Sequence, residues 1–210
     1  MATVKRAHKA AIREYNEKAI IEAAEEVFAE HGFSGATTTE IARRAGVPKA
    51  NVHYYYATKK DLYRRVLDDI LSVWLEAANT FETCDTPVEA LTRYIHAKMD
   101  MSRARPLGSK IWANEIIHGA PMIQDFLDTT LRDWMRTRAQ CFEQWAAQGK
   151  IQRLDPHYVF YMIWATTQHY ADFNVQVRGI LRPQGDAHLD DAARFLTDLY
   201  TRALTPDRRD

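Results

Sequence analysis

Residues 37–62, TTTEIARRAGVPKANVHYYYATKKDL, constrain the fold more than any other part of this 210-residue chain. Thr37 and Glu40 have the spacing of a capping box, in which the threonine accepts from the Glu40 N–H and the carboxylate reaches back. Ile41 and Ala42 give the helix that follows a small apolar face. Ala45-Gly46-Val47 then makes a tight turn: alanine permits close helix approach, glycine tolerates positive φ and valine plugs the corner. Pro48 suits the first turn of a second helix, where its missing N–H is harmless. The segment therefore predicts a helix-turn-helix whose second helix, about Pro48 to Tyr54, is two turns long. That is the element that enters a DNA major groove.

The residues around this short helix suit a phosphate backbone. Lys49, Asn51, His53, Tyr54, Tyr55 and Tyr56 are followed by Thr58, Lys59 and Lys60. Lysines and tyrosine hydroxyls hold phosphates, while Lys49 and Asn51 are long or polar enough to read base edges. Tyr54, Lys59 and the helix start are expected to face DNA, whereas Tyr56, with part of Tyr55, packs on the preceding helices. The chain has no net charge, but it is polarised. Residues 1–65 hold 12 Lys and Arg against 8 Asp and Glu, and residues 66–210 hold 16 against 20. Basic character is concentrated where the motif sits. The opening MATVKRAHKAAIR carries Lys5, Arg6, His8, Lys9 and Arg13 without an acid, which fits either an arm reaching a minor groove or a loose solvated tail.

Elsewhere the chain reads as helix throughout, an all-α protein of about nine helices. With 46% hydrophobic residues it can bury one large core or two modest ones. Ile12 to His31 carries a helical apolar stripe that ends at Gly32. Thr58 and Asp61 cap a fourth helix whose stripe, Leu62, Val66, Ile70, Val73, Trp74 and Ala77, runs to about Phe81. Thr86-Pro87 opens the next helix, to about Arg103, and Leu107–Ile117 forms a short one. A long helix spans about 121–148. Asp155-Pro156 starts another that is expected to continue to about Arg178, and 187–204 forms the last. A domain boundary is expected at 58/59: residues 1–58 as the DNA-binding domain, and 59–210 as the ligand-binding and dimerisation domain. Cys84 and Cys141 lack metal or redox spacing, and a structural disulfide is not expected. No apolar run approaches the roughly 20 residues that cross a bilayer, and a cytoplasmic protein is expected.

On the 155–178 helix, Tyr161, Trp164, Gln168, Asp172 and Val175 share one face. An aromatic, an amide and a carboxylate on one stripe fit a polar spot in an apolar cavity suited to a small planar ligand. They fit equally a core helix or a dimer seam. Glu115-x-x-His118 is half of a di-iron ligand set, but no second Glu-x-x-His exists, so no metal or other cofactor is expected.

AGVPKANVHYYYATKKDLY resembles the signature of the TetR family of transcriptional regulators, A-G-V-[ST]-x-x-x-[LIV]-Y-x-[YHF]-F-x-[ST]-K-x-x-L. The resemblance covers about the first 65 residues and implies Thr38, Lys49, Asn51, Tyr54, Tyr55 and Lys59 as DNA-facing. Pro48 departs from the usual Ser or Thr, and His53 from the usual Tyr. The run DPHYVFYMIWATTQHYADFNVQV, with EIIHGAP at 115–121, resembles the C-terminal domain of family members that control pyrimidine utilisation. This implies release from DNA by uracil or thymine, with Trp164, Gln168 and Trp74 at the effector site and Asp172 on the same stripe.

A ligand-released repressor, dimeric on a palindromic operator, is the first expectation. The helices 155–178 and 187–204 would form its seam through Tyr158, Phe160, His169, Phe173, Phe195, Leu199 and Ala203. A regulator without a ligand differs in that no metabolite changes operator affinity. A helical enzyme of nitrogen-heterocycle metabolism differs in turnover, but no nucleophile elbow, phosphate loop or carboxylate pair with a supporting histidine is present.

Overall fold

The computed structural model describes residues 2–77, 81 and 86–206. Among these, all regular structure is helical: α1 (Ala2–Gly35), α2 (Thr38–Ala45), α3 (Lys49–Tyr55), α4 (Lys59–Ala77), α5 (Pro87–Ala104) and α6 (Pro106–Ile117). A seventh rod, α7, opens as Gln124–Phe126, passes through a π-helical turn at Leu127–Leu131 and continues as Arg132–Ala147. α8 (Pro156–Asp172), α9 (Asn174–Leu181) and α10 (Ala187–Leu204) complete the chain. The expected reach of α4 to Phe81 crosses residues 78–80, which lie outside the described residues, and so does Cys84. Cys141 is a free thiol, and burial raises its pKa.

The fold divides into two compact units, residues 1–71 with 110–122, and residues 72–109 with 123–210. Residues 59–71 of α4 thus group with the helix-turn-helix, because Leu62, Tyr63, Val66, Leu67 and Ile70 are buried in that unit's core. Ile20, Ala24, Val27 and Phe28 of α1, Ile41 of α2 and Val52 of α3 are buried in the same unit, and Phe28 meets Tyr63 edge-on at 4.8 Å.

One expectation about α1 changes and one holds. The basic opening stretch is helical from Ala2, in keeping with its Ala, Lys and Arg content and its freedom from Gly and Pro. The C-terminal end does break at Gly32, where φ is 65° and ψ 177°. Phe33 then turns under and contacts Tyr63 at 5.0 Å.

The second unit is built on an aromatic core: Phe81, Tyr94, Phe142, Trp145 and Phe160 are buried, with Trp134 and Trp164 packed against them. Here the expected single helix from 155 to 178 is interrupted. α8 ends at Asp172, and Phe173, at φ −110° and ψ 28°, separates it from α9. Val175 consequently leaves the stripe and is exposed. Phe160, expected on a dimer seam, is instead wholly buried in the unit's own core, ringed by Phe81, Tyr94, Trp134 and Phe142.

Candidate functional site

The helix-turn-helix is held by short-range contacts that its sequence encodes. Thr37 caps α2, accepting from the Glu40 N–H at 3.1 Å. The reciprocal half of the expected box is absent: the Glu40 carboxylate turns to Arg43 (2.7 and 2.9 Å) and Arg44 (3.0 Å). These bonds hold its pKa at about 2. Two charge-assisted partners outcompete one backbone N–H. Arg44 also forks onto Glu30 at 2.8 and 2.5 Å, fastening α2 to α1. Gly46, at φ 66°, closes α2 in the left-handed conformation that only glycine adopts without strain. Pro48 forms the N-cap of α3, just before the helical position expected for it, and its carbonyl accepts from Asn51 at 2.8 Å.

α3 is seven residues long and buries only Val52. Lys49, His53 and Tyr54 are exposed, Tyr54 to 73 %, while Thr38 and Asn51 are half-buried beside them. Tyr55 meets Tyr54 edge-on at 5.3 Å, and its hydroxyl donates to the Arg13 carbonyl at 3.3 Å.

Lys59 departs from the expected role. Its ammonium donates to the carbonyls of Phe33 (2.6 Å), Ala36 (2.9 Å) and Ser34 (3.3 Å), and lies 4.6 Å from the Phe33 ring. All three ammonium protons are engaged, so Lys59 is a clamp between α4 and the end of α1 and not a free cation for phosphate. Thr58 and Asp61 form the expected reciprocal box at its start, with bonds of 3.0 and 3.1 Å.

In the second unit, α5 and α8 meet through polar pairs within the aromatic core. Trp164 donates through its indole N–H to the Tyr94 hydroxyl at 2.7 Å, and Ser102 donates to the Thr167 carbonyl at 3.1 Å. Lys98 lies midway between Tyr94 and Ser102, one turn from each. It is only 5 % exposed, and its ammonium stands 4.2 Å from the Trp74 ring centroid. Burial pulls its pKa down to about 8, with the Asp172 charge acting the other way. Asp172 in turn accepts from the Ser109 hydroxyl at 2.6 Å.

Trp74, Lys98 and Asp172 thus form one electrostatic cluster, with Trp164 at the Tyr94 end of the same α5–α8 contact. Gln168 lies on the α8 stripe between Trp164 and Asp172, half-buried. Trp164 also lines a cleft of about 550 Å³ between α7 and α8, with Met135, Gln140, His157 and Tyr161. Gln168, Asp172 and Trp74 do not line that cleft. Lys98 and Ser109 were not singled out from the sequence. The available signal was a lysine continuing the apolar stripe Leu91, Tyr94, Ile95 into Met99.

Comparison with known proteins decides the family. Residues 20–66 match the family described as bacterial regulatory proteins, tetR family, and residues 67–207 match the YcdC-like protein C-terminal region. The HTH-type transcriptional regulator RutR of Escherichia coli K12 is 38% identical over 163 residues, covering 78% of this chain and 77% of that protein. The chain belongs to the TetR family.

Other relatives agree. The transcriptional repressor KstR2 of Mycolicibacterium smegmatis is 23% identical over 190 residues, 80% of this chain and 92% of its own. Among solved structures, the ketosteroid regulator KstR2 of Mycobacterium tuberculosis superposes with a TM-score of 0.74 at 17% identity, covering 90% of this chain and 94% of that one. AibR, solved with isovaleryl coenzyme A and operator DNA, gives 0.70 at 16% identity, over 88% and 97% of the two chains. These likenesses show the fold. As a TetR-family DNA-binding transcriptional regulator, the protein is not an enzyme, which removes the heterocycle-enzyme reading. No helix among the described residues is long and apolar enough to cross a membrane.

The Glu115-x-x-His118 pair has structural partners. Glu115 is buried and accepts from the Met122 N–H at 2.6 Å, beside the Tyr63 hydroxyl, while His118 Nδ1 lies 2.7 Å from the Asn114 carbonyl.

Proposed function

We propose that this TetR-family protein is a cytoplasmic repressor that binds a palindromic operator as a dimer and leaves it when a pyrimidine base, such as uracil or thymine, occupies the second unit. α4 is the observation that carries this reading. It starts at the Thr58–Asp61 box, directly after α3, and reaches Trp74 beside Lys98. One continuous helix therefore belongs to both the DNA-reading unit and the polar cluster.

DNA contact is assigned to Lys49, Asn51 and Tyr54, with Thr38 and Tyr55 flanking them. α3 rises only about 10 Å, which is too short for tight binding alone, so two copies must read successive grooves. The second copy is supported by exposed apolar side chains on α8 to α10: Tyr158, Phe173, Leu181, Phe195 and Leu199. His169 stacks on Phe173 at 5.0 Å within the same patch, and Ala203 is exposed near its end.

The effector is assigned to Trp74, Trp164, Gln168 and Asp172. Indole faces suit a planar ring, and an amide with a carboxylate suits its alternating C=O and N–H edge. Binding moves α4 and alters the spacing of the two α3 helices; a preference of a few kcal/mol for the released state suffices.

The test is fluorescence anisotropy on a duplex from the protein's own promoter, with and without uracil, for the wild type and Gln168→Ala. The variant should bind DNA as the parent does and need far more uracil for release. Release at the parent's uracil concentration removes Gln168 from the effector site.

A further inference from the structure

We propose that the opening of α1, Ala2–Arg13, is a second DNA-binding element, a basic helical rod that lies against the phosphate backbone beside the groove read by α3. This rests on the DNA-binding reading above and deepens it, and it takes nothing from the effector site.

The conformation of the stretch excludes the two simpler roles. α1 is helical from Ala2 to the break at Gly32, so its opening is not a loose tail. A helix with its side chains is about 10 Å wide or more, against about 6 Å for a minor groove, so the rod cannot enter one. Because it extends a helix already anchored in the unit's core, only propagation is needed, and its alanines, lysines and arginines favour that.

The rod starts beside the recognition helix. Tyr55 is the last residue of α3, its ring meets the exposed Tyr54, and its hydroxyl donates to the Arg13 carbonyl at 3.3 Å. His8 and every residue from Ala10 to Tyr15 are exposed, so this part of α1 stands clear of the core. From Arg13 back to Ala2 the helix rises about 16 Å, more than the roughly 12 Å width of a major groove.

The register supplies the chemistry. Lys5, Arg6, Lys9 and Arg13 occupy positions within about 100° of the helix circumference, and no acid precedes Glu14. The opposite arc holds Thr3, Val4, Ala7, Ala10 and Ala11. A row of cations on one side of a rod matches the repeated charges of a duplex and binds them without regard to sequence. A basic helix can also lie on an anionic membrane, but such helices set Trp, Phe or Leu opposite their charges, and this arc has none.

The test is the salt dependence of full-length protein binding to a labelled promoter duplex, for the wild type and two variants. Lys5→Gln/Arg6→Gln/Lys9→Gln should melt as the parent does and lower the slope of log affinity against log salt by about 2 to 3 per subunit, at about 0.9 for each lost phosphate contact. Ala10→Pro keeps every charge but unwinds the turns before it, and should cause at least half of that loss. An unchanged slope in the triple variant overturns the inference. A wild-type slope in Ala10→Pro also overturns it, because a flexible tail would then do as well. Co-sedimentation with phosphatidylserine vesicles that needs the same three residues, beside an unchanged DNA slope, overturns it in favour of a membrane. Phosphate contacts carry no sequence, so a random duplex is titrated alongside. A wild type that does not prefer the promoter defeats the operator reading, while the slopes on the random duplex still decide the role of the rod; binding to neither duplex defeats both.

Discussion

The Lys59 ammonium donates to the Phe33 carbonyl at 2.6 Å, joining the first turn of α4 to the chain that leaves α1. Two further carbonyls, of Ser34 and Ala36, complete its shell. A lysine read from its surroundings in sequence as a phosphate contact is thereby a C-terminal cap for another helix, where a cation also meets the negative end of the helix dipole. Lys59→Ala should cost about 2 kcal/mol of stability, because it leaves carbonyls without their donor. Urea denaturation reads that loss. The salt slope of operator binding should stay at the wild-type value, whereas Lys49→Ala should reduce it by about 1. An unchanged midpoint with a reduced slope for Lys59→Ala would return Lys59 to the phosphate set.

Tyr54 should matter to DNA and not to folding. Its side chain is exposed and touches little beyond the Tyr55 ring. Tyr54→Phe should melt as the parent does and bind operator about fivefold more weakly, the size of one lost neutral hydrogen bond. Equal affinity in an anisotropy titration removes the hydroxyl from the interface.

The Glu40 network gives the helix-turn-helix a defined acid response. Arg43 and Arg44 depress the Glu40 carboxyl to about 2, below its ordinary 4.5. A depressed folded-state pKa gives stability that is complete above the unfolded value and is lost as pH falls through the folded one. The melting temperature of the wild type should therefore exceed that of Glu40→Gln at pH 6, and the gap should narrow from about 4.5 downward and close near 2. A gap that is constant from pH 6 to pH 2 contradicts the ion-pair origin.

The dimer assignment predicts a strong effect from one exposed residue. Phe195 on α10 is 65 % exposed. In a two-fold interface Phe195→Asp introduces two charges into one apolar patch, so light scattering should show a folded monomer. Operator affinity should fall by at least about 100-fold, since the second half-site no longer binds as part of the same particle. A dimer that persists places the seam elsewhere.

Local signals in the sequence carried far, and long-range ones did not. The caps at Thr37, Thr58, Thr86 and Asp155 depend on residues two or three positions away, and each forms the expected bond. The left-handed turn at Gly46 follows from having no Cβ. Three features escaped, the first two because their partners are distant. The Lys59 carbonyls lie 23 to 26 residues back. Lys98 gains its character from Trp74 and Asp172, on different helices. The break at Phe173 carries neither glycine nor proline, and no composition signal marks it. The site residues on α8 were legible as a stripe, but only tertiary packing separated Val175 from it and divided Trp164 between the aromatic core and the cleft beside α7.

The most direct measurement is anisotropy of a labelled promoter duplex titrated with the dimeric protein, repeated in saturating uracil. The expected result is tight, salt-dependent binding of one dimer per site, weakened at least about tenfold by uracil, a coupling of roughly 1.4 kcal/mol. Binding as a monomer, or an operator affinity that no pyrimidine alters, would contradict it.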